Sequence, residues 1–569
     1  MIPPFQRPYE WKREHVESLF NDLWNHMMEH SEDGIDYFLG PIVTYEDKYV
    51  DKESERTIIE CCVIDGQQRL TTLALLLRAI YEQIATGDSD EDLEDEESEV
   101  KKTLWTKNKE TKQYNMSVNP IESRVVFKED ALIFDKIMES GSADGLEGPY
   151  AENYRLLQNL IVEQLTSKKG ALKFPDFIEC ILKNTILLPI VADSMDTAME
   201  IFNTLNDRGM QLTDADIFKS LIYGDLDPSK RGSFINRWNQ MSKDCEKIGI
   251  TIQDLFKYYS FYIKAVENDR SSSLISVRKF YSMKNRLKDK DLMDNLQLIL
   301  NLYKVALGQE RLIDPEQPFK DEEYKIPNIL PGEEWSDDCS IRKSLDILSS
   351  FANDYWNYPI VTYYLSNKTK ADFKESFDKF LHKLIVDLLY TQVIANNVNS
   401  LKTPVMNLDL KIIDNLHPEF DFGDKDWTIF KQNIVTPHFK LERMLLKIVA
   451  YMEPNQTDVM LSGWQVEHIF SQKWDPSVYS QLPAEEIKQL IEHIGNKMPL
   501  EKIPNIMAGN NFFSKKRAEY EKSDIALAHT IRQYTSWDTN SILMRDEIIV
   551  RDIQSLLESW SKEYDDAAE

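Results

Sequence analysis

The 569-residue chain is poor in what metal centres, membrane spans and DNA-coating proteins require. Its five cysteines (Cys61, Cys62, Cys180, Cys245, Cys339) show no metal-ligand spacing, and its nine histidines are dispersed. No structural zinc site is expected, and the odd, scattered thiols point to reduced cysteines in a cytosol. No apolar run reaches about 18 residues, so no membrane span is expected. The first residues, MIPPFQRPYEW, lack the basic and apolar regions of a secretory signal. Positive charge is also scarce: 67 Lys+Arg stand against 96 Asp+Glu, a formal net charge of −29. A protein that coats nucleic acid is normally basic, so non-specific DNA affinity is not its main property. A local basic patch or a metal ion can still meet DNA, because the field at a site is set locally.

Apolar residues are ample, 42% with 11% aromatic, and the length argues for two to four domains. In REHVESLFNDLWNHMM, Val16, Leu19, Phe20, Leu23 and Trp24 share one helical face. YFLGPIVTYED and ERTIIECCVI read as paired strands, followed by a helix over Leu70 to Ile84. The run GDSDEDLEDEESEV, Gly87 to Val100, reads as a solvated, mobile loop. Helical patterns dominate from Lys128, interrupted by a strand at Thr185 to Val191. A helix over Ser194 to Leu205, the turn NDRG and a helix opened by Thr213 follow, with Asp216 completing a capping box. From Pro228 to Glu442 long amphipathic helices alternate with one proline-rich loop, Asp314 to Asp338. A helix from Leu441 leads to SGWQVEHIFSQKWDP.

VIDGQQRLTTL sets Asp65, Gly66, Gln67, Gln68 and Arg69 where a strand becomes a helix. The free N–H groups of a first helical turn favour an anion, and the guanidinium of Arg69 suits phosphate oxygens. The two glutamines suit a sugar, a base or an attacking water, and Asp65 suits a hydrated magnesium ion or a water. The pattern is not a Walker loop. Residues alone leave a second reading open, with Asp65 as a helix cap and the amides on a wet face. IPPFQRPYEW adds Gln6 and Arg7 between apolar anchors. EIFNTLNDRGMQLTDADIFKSLI adds Asn203, Asn206, Arg208 and Gly209 around a turn; it also reads as a plain helix–turn–helix corner stopped by Gly209. DNA reading by that corner is disfavoured by the acidic Asp214 and Asp216.

These segments, with FLGPIV, together resemble the N-terminal DGQQR domain of the GmrSD-type restriction proteins, a fold related to ParB and sulfiredoxin. The resemblance implies nucleoside triphosphate binding and hydrolysis, GTP, UTP, CTP or ATP, at Asp65 to Arg69. Gln6 and Arg7 match the FQR element; Asn206, Arg208 and Gly209 match the NxRG element. Relatives usually carry a lead-in segment before IPxFQR, whereas this sequence starts at Met1; the expectation is either a misassigned or truncated start or a member that lacks an outer element.

Near the other end, WQVEHIF sets Glu467 and His468 in a strand-like context, where a lone histidine is most often a core residue. IGNKMPLEKIPNIMAGNNFFSKK then supplies Asn496, Asn505, Asn510, Phe513 and Lys516. A ββα-metal nuclease needs an imidazole to activate water, an amide to fix it and hard oxygen ligands for a divalent ion. His468 fits the general base and Asn496 the orienting amide. Glu467 and Asn505 are candidate ligands, with Asn510 competing, although neighbouring strand side chains point to opposite faces. Lys515, Lys516 and Arg517 form a basic cluster suited to phosphates, or else a solvated helix face. This pattern resembles the C-terminal HNH domain of the same GmrSD family, with Ser471 where a proline is usual.

The expectation is an α+β, predominantly helical chain: a ParB/sulfiredoxin-like domain over 1–225, a helical middle over 226–440 and a helical HNH domain over 441–569. The resemblance implies a cytoplasmic, nucleotide-dependent DNA endonuclease that uses Mg²⁺ or Mn²⁺ against modified phage DNA, with a homo-oligomer as a further expectation and no membrane partner. Rival readings are a nucleotide-sensing scaffold with a weak nuclease site and an RNA-directed toxin nuclease.

Overall fold

A computed structural model of the chain describes residues 1–30, 35–50, 57–86, 93–108, 113–116, 119, 121–124, 128–167, 170, 172–205, 213–271, 276–311, 324–326, 329–395, 397–461, 463–474 and 483–568. These are mostly helical with small sheets. They pack as two compact units, Met1–Asn239 and Gln240–Glu569. The helical stretch set apart at 226–440 and the segment from 441 onward therefore fall mainly in one unit. No helix among the described residues is long and apolar enough to cross a membrane.

The first unit is organised around α2 (Gln67–Thr86), which buries Leu73 to Leu77, Ala79 and Ile80. A helix that is apolar nearly all round belongs in a core rather than on a surface. Around it pack α3 (Glu94–Leu104) and α5 (Pro149–Leu165), while α1 (Arg13–His30) lies against α5 and α6 (Phe174–Lys183). The helix α4 (Lys128–Ser140) also rests on α5. The buried face of α1 is the one its spacing predicts, with Met27 added.

Beside this core, β1 (Tyr37–Val50) is the centre of a three-stranded sheet. It pairs antiparallel with β2 (Thr57–Asp65), Val43 facing Asp65, and parallel with β3 (Thr185–Ala192), Tyr37 facing Thr185. Parallel neighbours need a long crossover, and the helices α2 to α6 supply it. On the outer side of β2, the carbonyl of Met1 accepts from Val63 N and the terminal ammonium donates to Cys61 O.

Gly66, at φ +92°, turns β2 directly into α2, and a Cβ there would lie 2.2 Å from Ile42 Cδ1. The helix thus starts at Gln67 rather than Leu70, which places Gln67, Gln68 and Arg69 in its first turn. The acidic run is also corrected. From Glu94 it is helix, because Glu94 to Glu97 sit at the positive end of the dipole and Val100 and Leu104 are buried; 87–92 lie outside the described residues. Beyond β3 come α7 (Met195–Leu205) and α8 (Asp214–Asp225), the latter opened by the expected Thr213–Asp216 capping box. The turn carrying Asn206, Arg208 and Gly209 lies outside the described residues, as does the side chain of Asn203.

In the second unit, α10 (Ile252–Val266), α13 (Asn357–Asn367) and α15 (Lys402–Ile412) pack on one another, and α14 (Phe373–Ala395) lies along the C-terminal α22 (Thr539–Ala568). Within 314–338, read as a proline-rich loop, Tyr324–Ile326 pairs with Gln309–Arg311 and Glu334–Asp337 is a short helix. After α17 (Phe439–Tyr451), β4 (Gln465–His468) and β5 (Lys497–Leu500) form an antiparallel pair, followed by α19 (Lys502–Ala508) and α20 (Phe513–Tyr520).

Leu76 is 0% exposed and Leu172 is 80% exposed. In urea unfolding followed by far-ultraviolet circular dichroism, Leu76→Ala is expected to cost about 2–5 kcal/mol. Leu172→Ala should stay within about 0.5 kcal/mol of the parent.

Candidate functional site

The segment before α1 has almost no regular secondary structure, so its main-chain polar groups need side-chain partners. The amides of the two N-terminal motifs provide them. Gln6 Nε2 donates to Ile64 O at 3.1 Å, and Gln67 Nε2 donates to Arg7 O at 2.7 Å. Gln68 Nε2 donates to Pro8 O at 2.9 Å, while its Oε1 accepts from Glu10 N at 2.9 Å and Trp11 N at 3.2 Å. Arg69 donates to Leu39 O at 3.0 Å, Pro41 O at 2.7 Å and Asp65 Oδ2 at 3.3 Å. Gln68 therefore does not lie on a wet face; it ties the Pro8–Trp11 stretch to α2.

What converges at the start of α2 is charged. Burial pushes the Asp65 carboxyl up, opposed by Arg69, the Gly66 N–H and Arg7. Arg7 Nε lies 3.8 Å from Asp216 Oδ2, so the FQR element, the DGQQR turn and the start of α8 meet. Gln67 Oε1 is buried with no hydrogen-bond partner. Lys219 on α8 is a group the sequence did not single out. It is buried, donates to Asn239 Oδ1 at 3.1 Å, and burial lowers its pKa to about 8. Its only sequence signal is a lysine at helical spacing from Asp216.

The second group of residues gathers on the β4–β5 hairpin, where His468 faces Lys497. Asn496 is 0% exposed and fully used. Its Oδ1 accepts from Phe470 N at 2.7 Å and Trp537 Nε1 at 3.2 Å; its Nδ2 donates to Phe470 O and Ile491 O, both at 3.0 Å. The carboxamide thus pairs with Phe470 as a strand neighbour would, fixing the chain two residues beyond His468. Ser471 Oγ donates to Asn511 O at 2.9 Å, joining the loop after β4 to the loop before α20.

Around the imidazole stand Gln472 Nε2 at 3.3 Å and Glu492 Oε2 at 3.8 Å, both measured to His468 Nε2. Glu492 in turn takes Lys497 Nζ at 2.8 Å, and Lys497 also reaches Glu442 at 2.5 Å. Burial and then the Lys497 ammonium push the His468 pKa down, favouring the neutral imidazole a general base requires. Glu492 was not singled out by sequence; its signal is its place four residues before Asn496, across the hairpin from His468.

Glu467 points elsewhere. Its Oε1 accepts from Lys516 Nζ at 2.9 Å and Tyr520 OH at 2.7 Å, and Lys516 also donates to His468 O at 2.6 Å. Lys516 is 1% exposed, which corrects its assignment to a phosphate-binding cluster. Arg517 Nε is committed to Arg532 O at 2.9 Å, and of the three basic residues only Lys515 stands out in solvent.

Asn505 Nδ2 donates to Gln465 Oε1 at 2.7 Å, and Gln465 leaves β4 on the same side as Glu467. A carboxylate and a carboxamide thus share one face, and the carboxylate already holds a cation, the Lys516 ammonium. A hard divalent ion at Glu467 would have to displace that ammonium. Asn510 lies apart, its Oδ1 3.4 Å from Lys473 N. Among the described residues no three His, Cys, Asp or Glu side chains converge to hold a metal.

Residues 1–223 match the N-terminal domain of the GmrSD restriction endonuclease, and residues 424–552 match the C-terminal domain of these enzymes. The chain belongs to the GmrSD restriction endonuclease family. Membership makes it a restriction endonuclease, with DNA as its substrate class. The charged cluster at α2 lies within the matched GmrSD N-terminal domain, and the His468 hairpin within the matched C-terminal domain. No curated protein matches the chain.

Gln68→Ala removes all three ties to residues 8–11, so amide exchange at Glu10 and Trp11 should accelerate by roughly tenfold or more, the effect of losing about 1.4 kcal/mol of hydrogen bonding. Lys219 gives a pH signature. The unfolded chain keeps this proton up to the ordinary lysine range, whereas the folded protein releases it near pH 8. Folding stability therefore rises with pH between about 8 and 10.5, and urea titrations at pH 7.5 and 9.5 should show that rise flattened in Lys219→Met.

Proposed function

We propose that this GmrSD-family chain is a nucleotide-dependent DNA endonuclease. Triphosphate bound at the Asp65 cluster licenses phosphodiester hydrolysis at the His468 hairpin. The observation that carries the catalytic half is the placement of His468 at the end of a short strand whose continuation is locked by Asn496. The imidazole is desolvated and kept neutral beside Lys497, and it takes the proton from the attacking water. As the water oxygen bonds to phosphorus, the bond from phosphorus to the leaving oxygen breaks. Asn496 holds the loop after His468, and Lys516 holds the strand end through the His468 carbonyl.

Glu467 and Asn505 are the residues that would hold Mg²⁺ or Mn²⁺, which when bound stabilises the charge developing on the phosphate. In the first unit, Arg7, Arg69 and the open N–H groups of α2 favour the anionic end of a triphosphate, and Asp65 would meet it through a hydrated magnesium ion or a water. Gln67 Oε1 is left to accept from a sugar hydroxyl or a base N–H. The glutamines and Arg69 support this reading chiefly by shaping the cradle, since most of their polar atoms hold main chain. We assign the biological role to defence against modified phage DNA in the cytoplasm, with self-association as a further expectation.

The test incubates the full chain with modified and unmodified plasmid, RNA, each triphosphate and Mg²⁺ or Mn²⁺. His468→Ala should lower cleavage by about 10²–10⁴-fold while leaving triphosphate turnover intact. Asp65→Ala should abolish turnover and, with it, cleavage. Undiminished cleavage by His468→Ala refutes the assignment of the base. Cleavage that proceeds equally without any triphosphate refutes the coupling.

A further inference from the structure

The stretch that forms α19 and opens α20 is unlike the rest of the chain in charge. Lys502 to Ala518 holds Lys502, Lys515, Lys516 and Arg517 and no Asp or Glu, within a chain of net charge −29. It also turns apolar side chains outward: Ile506 is 62% exposed, Met507 58% and Phe512 59%. Ile506 and Met507 lie in the last turn of α19, and Phe512 immediately precedes α20. Asn511 Nδ2 donates back to Ala508 O at 2.9 Å and to Met507 O at 3.4 Å, so the link between the two helices is tight. Large apolar side chains exposed together on one short segment mark an interaction surface.

This link is fastened to the chain that leaves His468. Ser471 Oγ donates to Asn511 O at 2.9 Å, and Lys473 N lies 3.4 Å from Asn510 Oδ1. Between these two anchors sits Gln472, whose Nε2 is 3.3 Å from His468 Nε2. Phe512 lines a depression of about 130 Å³ together with Phe470, Lys473 and Trp474. Lys473 from the loop after β4 and Lys515 from α20 are both exposed. The support beneath is rigid. Trp537 packs 5.7 Å from the ring of Phe513 and donates to Asn496 Oδ1 at 3.2 Å. On α22, Arg545 Nη1 donates to Gly495 O at 2.7 Å and Lys497 O at 2.8 Å, the carbonyls on either side of Asn496.

We propose that Phe512, flanked by Ile506 and Met507, is an apolar wedge that enters the base stack of duplex DNA next to the phosphate cut at the hairpin. The proposal rests on the reading of His468 as the base of a DNA endonuclease and adds how that site grips its substrate. Proteins that kink DNA insert Phe, Ile or Met between base steps, while neighbouring Lys and Arg hold the phosphates. This segment carries both kinds of group, continuous with the hairpin. A wedge works only on a support that does not yield, which the ties to Asn496, Ser471 and Lys473 provide. A second copy of the chain is a poorer occupant, because an isologous contact would set the same lysines against each other.

The test uses the full chain carrying His468→Ala, which keeps DNA intact, and short duplexes with 2-aminopurine at successive positions. Its fluorescence rises when the base is unstacked, and binding should produce that rise at one step. Adding Phe512→Ala should abolish the rise and weaken binding by about tenfold, the scale of losing one aromatic–base contact. Phe512→Trp should keep the rise, and Met544→Ala, which truncates a 66% exposed side chain on α22, should change neither quantity. In the chain with His468 intact, Phe512→Ala should slow cleavage of a fully paired duplex and regain it on one with a mismatch beside the cut, where the stack is already open. Phe512 is exposed, so its truncation should leave the melting temperature unchanged. A fluorescence rise without cleavage by the parent chain fails the catalytic reading alone and upholds the wedge. No rise at any position, or a rise undiminished by Phe512→Ala, overturns the proposal. So does a dimer that Phe512→Ala dissociates in sedimentation while DNA binding stays unchanged, which assigns the surface to a second copy.

Discussion

Much of this protein rests on one requirement: a main-chain segment outside helix and sheet must still have its N–H and C=O groups paired. In both units the solution is a side-chain carboxamide. Gln68 supplies one acceptor and one donor to the stretch that leads into α1, and Gln6 and Gln67 add a donor each. Asn496 does the same for Phe470 and Ile491. An amide has both donor and acceptor at fixed geometry, so it can stand in for a neighbouring strand. Removing one leaves several buried groups unsatisfied together, and the two motif-bearing regions inherit their rigidity from these side chains.

A second theme is the local cancellation of charge. The chain carries a net charge of −29, yet beside the hairpin two buried lysines take up three carboxylates. Lys516 serves Glu467, and Lys497 serves both Glu442 and Glu492. Replacing one partner alone would strand the other charge in a low-dielectric interior, which is far more destabilising than the pair is stabilising.

The elements with strong periodicity were legible in the sequence: the buried face of α1, the β1–β2 pair, the strand at 185 and the Thr213–Asp216 cap all appear where spacing placed them. The charge-rich run at 94–100 was not, because composition alone cannot distinguish a solvated loop from a helix with two buried anchors. The start of α2 was placed three residues late, since Gly66 lets strand pass into helix with no intervening turn. Within the candidate sites, alternation along β4 did foreshadow the separation of Glu467 from His468. The burial of Lys516 was hidden, because three consecutive basic residues on a helix necessarily point in different directions and the sequence does not say which one faces inward. Glu492 and Arg545 gave no motif at all; their importance arises from pairings across some 25 to 50 residues of chain.

The order of strands in the first sheet has a consequence for how the protein is made. The central strand β1 waits between an immediate neighbour, β2, and a distant one, β3, which emerges more than a hundred residues later. Until β3 is synthesised, one edge of β1 stands open, a template for pairing with any other extended chain. Contacts of such separation also form late, because the intervening loop must be closed before they bring any stabilisation. The helices α2 to α6 that span this interval pack on one another in the folded chain, which makes the crossover compact. During synthesis the nascent chain is thus most vulnerable to aggregation in the interval between the completion of β2 and the emergence of Ala192.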